Sequence, residues 1–136
     1  MGFSVGMLRG ASGEVDHRLA RRALISQVKK GRVSRESVCD AHPELIRAAR
    51  HIGEETSTPC PICEQANVAL VTYVFGRGLP ACGKVLVDRR DVEKLQRTGN
   101  DYAAYVVEAC TRCKWHHLLR MLPIPGRGRA RATGSR

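Results

Sequence analysis

Cys60-Pro-Ile-Cys63 and Cys110-Thr-Arg-Cys113 are each followed by an apolar stretch that alternates as a β-strand does, over residues 68–75 and 115–122. Two residues between the cysteines let both sulfurs point into one tight turn. Two such turns facing each other complete a tetrahedral shell, with zinc–sulfur distances of about 2.3 Å. The pairing predicts a closed structural site for one Zn2+, with Cys60, Cys63, Cys110 and Cys113 as ligands. Glu64 and Lys114 stand where glycine often follows such turns to supply a positive φ, a substitution that costs about 1 kcal/mol per turn.

The 46 residues between the pairs exceed the spacer of the simplest zinc ribbons, and an insertion accounts for them. A strand over 68–75 runs into an irregular loop marked by Gly76, Gly78, Pro80 and Gly83. A short strand at 84–87 follows, then a helix over 89–98 capped by Asp88 and ended by Gly99, and a strand over 102–109. Pro123 and Pro125 are expected to end regular structure. This is the plan of a zinc ribbon with an inserted helix.

Upstream, 14–30 reads as a helix stopped by Gly31, with an apolar arc of Leu19, Ala20, Ala23, Leu24 and Val28. Arg18, Arg21, Arg22 and Lys29 fall on another face. Ser34 suits the N-cap of a short helix through Val38, and Pro43 the first position of a third helix. That helix carries Leu45, Ala49 and Ile52 on one side and Arg47 and Arg50 on another, and stops near Gly53. The three resemble a helix-turn-helix in outline. The expected class is α+β: a helical unit (14–53), a polar linker (54–59) and an antiparallel zinc ribbon (60–122). A flexible start (1–13) and a basic tail (123–136) flank them.

Five of the six aromatic residues (Tyr73, Phe75, Tyr102, Tyr105, Trp115) lie in the half that carries the cysteine pairs. So little bulk calls for a staple, which a metal supplies. No apolar run approaches the roughly 18 residues of a membrane span, and the Gly/Ser-rich start lacks the apolar core of a secretory signal. A reducing cytoplasm is therefore expected, where cysteines serve as thiolates. Of the net charge of +10, four units belong to Arg127, Arg129, Arg131 and Arg136 in a tail expected to be disordered; the body keeps +6. Such a field favours polyanions or acidic surfaces.

Among the remaining residues, Cys39 is expected to pack as a small apolar group. His42, three residues on, lacks the partners for a second metal site. Cys82 reads as an exposed thiol, His116 and His117 as surface groups or neighbours of the ligands, and Trp115 as a core cover. There is no phosphate-cradling glycine loop followed by Lys, no His-Glu-x-x-His and no nucleophile elbow. Four thiolates leave no open position on the metal. A non-catalytic protein without a small-molecule substrate is expected.

The segments Val38-Cys39-Asp40-Ala41-His42-Pro43-Glu44-Leu45, Cys60-Pro-Ile-Cys63 and Val106-Val107-Glu108-Ala109-Cys110-Thr-Arg-Cys113-Lys-Trp115-His-His117 are similar to a family of short actinobacterial proteins known as a domain of unknown function. The resemblance covers roughly residues 14–122 and implies a cytoplasmic zinc ribbon with no established reaction. Its members commonly read Trp-Asn-His where this chain has Trp115-His116-His117.

Zinc ribbons recur in gene expression, and the expected role is an accessory factor of transcription that binds RNA polymerase. Arg18, Arg21, Arg22, Lys29, Arg47, Arg50, Arg127, Arg129 and Arg131 would meet DNA, RNA or acidic protein. The alternatives are a ribosome- or RNA-associated protein, a rubredoxin-like iron carrier, and a thiol–disulfide oxidoreductase built on Cys60-Pro-Ile-Cys63, which lacks the βαβ context of such enzymes.

Overall fold

The computed structural model describes residues 3–8 and 13–126. After a 3-10 turn at Val5–Leu8 the elements are β1 (Val15–Asp16), α1 (Arg18–Lys29), α2 (Arg35–Val38), α3 (Pro43–His51), β2 (Glu54–Pro59) and β3 (Asn67–Gly76). They continue with β4 (Lys84–Val85), α4 (Arg89–Arg97), β5 (Tyr102–Ala109) and β6 (His116–Ile124). The class is α+β: α1 to α3 lie between β1 and β2, α4 lies between β4 and β5, and the strands form a six-stranded antiparallel sheet of order β1-β6-β5-β3-β2. β4 pairs with β3 beyond the end of β2.

Alternation sorts the side chains of the two central strands onto two faces. Val74, Ala104, Val106, Leu122 and Ile124 bury on one face beneath Val92 and Leu95 of α4. At the metal end of the same face, Ile25 of α1 packs with Val38, Val68 and Trp115. On the opposite face Leu45, Ile46 and Ala49 of α3 cover Ala69, Val71 and Ala109. α1 and α3 therefore straddle the sheet, and the expected helix-turn-helix outline does not form.

The caps follow the sequence. Ser34 Oγ accepts from Ser37 N–H at 3.2 Å, and His42 Nδ1 accepts from Glu44 N–H at 3.0 Å with Pro43 behind it. Asp88 and Asp91 form a capping box on α4.

Four expectations are corrected. The start is not a loose arm: Phe3, Val5 and Leu8 are buried, and Glu54 Oε1 accepts the Val5 N–H at 3.0 Å. The first helix begins at Arg18, because Val15 and Asp16 pair with Met121 and Arg120, and the Asp16 carboxylate takes the Arg18 N–H at 2.9 Å. The expected linker is strand β2, whose Glu54 and Glu55 stand opposite Leu70 and Ala69 and whose backbone finds its partners on the free edge of β3. Pro123 does not end β6, which runs to Ile124. It lies past the two residues that β1 pairs, where a missing N–H leaves no ladder bond unmade on that side.

Candidate metal centre

The antiparallel pairing of β3 with β5 brings the two cysteine turns together. Ala69 stands opposite Ala109, so the turn that opens β3 and the turn that closes β5 share one end of the sheet. Each turn tops a hairpin: β2 and β3 flank Cys60–Cys63, and β5 and β6 flank Cys110–Cys113. The four Sγ atoms lie within 4.8 Å of one another, and theirs is the one such group of potential metal ligands among the described residues. Cys60 and Cys113 sulfurs are 3.6 Å apart and those of Cys63 and Cys110 3.7 Å. A tetrahedron with bonds of about 2.3 Å has edges of about 3.8 Å, so the donor set fits Zn2+.

Both turns close with the same backbone hydrogen bond. Glu64 N–H donates to Cys60 O at 3.1 Å and Lys114 N–H to Cys110 O at 3.0 Å. Ile62 and Gln65 N–H donate to Cys60 and Cys63 sulfurs, and Cys113 N–H to Cys110 sulfur, each at 3.4 Å. Glu64 and Lys114 carry φ of 56° and 73°, the two positive values among described non-glycine residues, at the positions expected to bear them.

Burial is the largest influence on the Cys63 thiol and pushes it up. Donation from Gln65 N–H and the neighbouring sulfurs of Cys110, Cys60 and Cys113 more than offsets this and brings it down to about 7. Burial also raises Cys60, against its hydrogen bonds, and raises Cys113, where the side-chain hydrogen bonds with Cys39 and Cys60 push the same way. A cation held by four such sulfurs would favour their thiolate forms, so its uptake would release protons.

The helices grip the turns. Arg35 of α2 donates to Ile62 O at 3.1 Å, Arg50 of α3 reaches Thr111 O at 3.5 Å, and Ala41 N–H donates to Lys114 O at 3.1 Å. Trp115 is fully buried, as expected of a core cover. His116 lies at the surface, 3.0 Å from Asp40, and His117 stacks on Trp115. Cys82 is an exposed thiol in its loop.

Cys39 is the residue whose place the sequence concealed. At the C-cap of α2 its half-buried sulfur lies 3.6 Å from Cys113 Sγ, on which it donates an S–H hydrogen bond. Its spacing to His42 points elsewhere, and His42 is the cap of α3. No local pattern links position 39 to position 113. A donor on a ligand sulfur tunes the metal from outside the ligand shell. Cys39→Ala should weaken metal affinity about 10-fold while leaving one metal per chain, measured by chelator competition. Unchanged affinity would reduce Cys39 to a packing residue.

The basic residues singled out in the sequence separate. Arg21 turns inward: its Nε donates to Glu108 Oε2 at 2.7 Å, and Trp115 Nε1 donates to the same oxygen at 2.6 Å. Arg18 pairs with Asp16 and Arg47 with Glu44, each at 2.6 Å. Arg22 and Lys29 are exposed and carry no ion pair among the described residues. Arg127, Arg129 and Arg131 lie outside the described residues. The inward face of α1 is Arg21, Leu24, Ile25 and Val28, while Leu19, Ala20 and Ala23 of the expected arc face solvent. The partner that orients the helix is Glu108, 87 residues away.

Residues 8–134 match the family model described as a family of unknown function, DUF5318, and the chain belongs to that family. It is 37% identical over 106 residues to an uncharacterized protein of Mycobacterium bovis and to uncharacterized proteins of two Mycobacterium tuberculosis strains. Each alignment covers 78% of this chain and 77% of the relative. No solved structure matches it.

Proposed function

We propose that this member of the DUF5318 family is a non-catalytic zinc protein of the cytoplasm, an accessory factor of the gene-expression machinery with RNA polymerase as its main partner. The observation that carries the reading is the cluster of four sulfurs, two buried and two half-buried, held between two hairpins and gripped by α2 and α3. A metal with every position filled by thiolate holds structure and offers no site to a substrate. Among the described residues no helix is long and apolar enough to cross a membrane. The charge of +10 and the unpaired Arg22 and Lys29 favour an acidic protein or a phosphate backbone.

The test is affinity purification from the native host at physiological salt, with and without nuclease. RNA polymerase subunits should be retained by the wild type and lost, at unchanged metal content, from Arg22→Glu/Lys29→Glu. Recovery of ribosomes alone would favour the RNA-associated alternative, and recovery of neither machine would end the gene-expression reading. A red protein as purified would establish the rubredoxin-like alternative.

A further inference from the structure

Among the described residues five sulfurs, not four, meet at the metal end of the sheet. Cys39 Sγ lies 3.6 Å from Cys113 Sγ, as close as Cys60 Sγ does. Yet Cys39 stands outside the group of four whose sulfurs all lie within 4.8 Å of one another. The backbones on either side of this pair are tied together. Cys39 N–H donates to Arg35 O at 2.8 Å at the end of α2, and Ala41 N–H donates to Lys114 O at 3.1 Å. Between them Asp40 meets His116 at 3.0 Å.

We infer that Cys39 and Cys113 form a disulfide when a hydroperoxide reaches the site, which withdraws one of the four sulfurs from the metal. The inference rests on the metal reading and is independent of the partner.

Access and charge single out Cys113. Cys60 and Cys110 are buried, whereas Cys39, Cys63 and Cys113 are half-buried. Ligand sulfurs are all thiolates when a metal is held, so what separates them is their surroundings. Arg112 and Lys114, both exposed, flank Cys113 with positive charge, while Ile62 and Glu64 flank Cys63. Partly exposed sulfurs beside cations are the ones that oxidants modify. The sulfur beside Cys63 is that of Cys110, itself a ligand, at 3.7 Å. Joining two ligands takes two donors from the metal, whereas joining Cys113 to Cys39 takes one.

In the first step Cys113 Sγ gives an electron pair to one oxygen of hydrogen peroxide. The O–O bond breaks, leaving a sulfenic acid on Cys113 and a hydroxide that a solvent proton converts to water. Cys39 Sγ then bonds to Cys113 Sγ, the S–O bond breaks, and the Cys39 proton leaves with that oxygen as a second water. The two sulfurs lose two electrons and the peroxide gains two. From 3.6 Å the sulfurs close to a bond of about 2.05 Å. Cys39 lies past Val38, the last residue of α2, so its side chain moves without opening the helix. Trapping the sulfenic acid as a disulfide also spares Cys113 from the irreversible sulfinic acid.

The experiment treats the zinc-loaded full chain with a small molar excess of hydrogen peroxide. Released zinc is followed with a chromophoric chelator, and disulfides by peptide mapping without reduction. Trypsin cleaves after Arg35, Arg47, Arg112 and Lys114, so Cys39 and Cys113 are each the one cysteine of a peptide. The first linked pair should be 36–47 with 113–114, formed in step with zinc release and reversed by dithiothreitol with added zinc. Cys39→Ser keeps a hydrogen-bond donor for Cys113 and should start with one zinc per chain. After peroxide and dithiothreitol it should accumulate sulfinic acid at Cys113 and regain at most about half of its zinc. A first disulfide that joins two of Cys60, Cys63, Cys110 and Cys113 would overturn the inference. So would a Cys39→Ser protein that recovers as fully as the wild type. A chain holding no zinc as purified would overturn the metal reading and the release step with it, while the peptide map still decides the pair.

Discussion

Stripping the metal, or replacing Cys60 with serine, is expected to abolish the cooperative thermal transition of this protein. Cys60 is fully buried, and its sulfur shares a core with Ile25, Val38, Val68 and Trp115. Structural zinc contributes apparent free energies of about 10–16 kcal/mol. That is as large as the whole stability of a typical domain, about 5–15 kcal/mol. Burial also raises the Cys60 and Cys113 thiols, which disfavours their thiolates when no cation is bound. The check is differential scanning calorimetry before and after chelation, with metal quantified by elemental analysis at one equivalent per chain. Cys82→Ser, an exposed position, should stay within about 0.5 kcal/mol of wild type. A metal-free chain that melts cooperatively at the same temperature would refute the structural role of the site.

The second large effect is expected at Glu108. Its side chain is 3% exposed and accepts hydrogen bonds from both Arg21 and Trp115 on one oxygen. Removing one member of a buried ion pair leaves the other charge uncompensated, which costs about 3–5 kcal/mol. Glu108→Ala should lose about that much in urea unfolding of the metal-saturated protein, with a change in Trp115 fluorescence. Glu108→Gln keeps an acceptor for the indole and should lose less. A loss below about 1 kcal/mol for Glu108→Ala would mean that α1 is held by Ile25 and its neighbours alone. Arg21→Glu would bury two facing carboxylates and unfold the local structure, so charge reversal on α1 tests a surface only at Arg22 and Lys29.

The pKa of Asp16 gives a smaller, pH-dependent effect. Hydrogen bonds from the Arg18 side chain and backbone hold it at about 2, below its ordinary 3.8. A depressed carboxyl supports the folded state above its unfolded value and loses that support as pH falls from about 4 through about 2. Asp16→Asn should therefore flatten the pH dependence of α1 fraying over that window, read by amide exchange at Arg18 and Arg21.

Some of this was legible residue by residue. Two Cys-x-x-Cys pairs carry their ligand chemistry in a four-residue spacing, so the four sulfurs that the fold brings together could be named before any fold was known. Glu64 and Lys114 showed where the backbone takes positive φ. Ser34, Pro43 and Asp88 marked helix starts because a cap acts within three residues of itself. The alternation of 68–75 and 102–109 fixed the central strands for the same reason: period two is a local property.

What tertiary structure alone decided is whatever depends on partners distant in the chain. Glu54-Glu-Thr-Ser-Thr-Pro59 has the composition of a linker and is a strand only because β3 offers an unpaired edge. Phe3, Val5 and Leu8 are too few to announce a core, yet they bury beneath a sheet whose strands come much later. Arg21 belongs on its helix wheel to a solvated basic face, and a carboxylate 87 residues away turns it inward. Cys39 looked like a small apolar residue until α2 set its sulfur against Cys113, 74 positions on. Local periodicity and spacing determine which elements form and which sulfurs are candidates to hold a metal. Only the packed sheet determines which charges are consumed in holding it together and which further sulfur reaches the cluster.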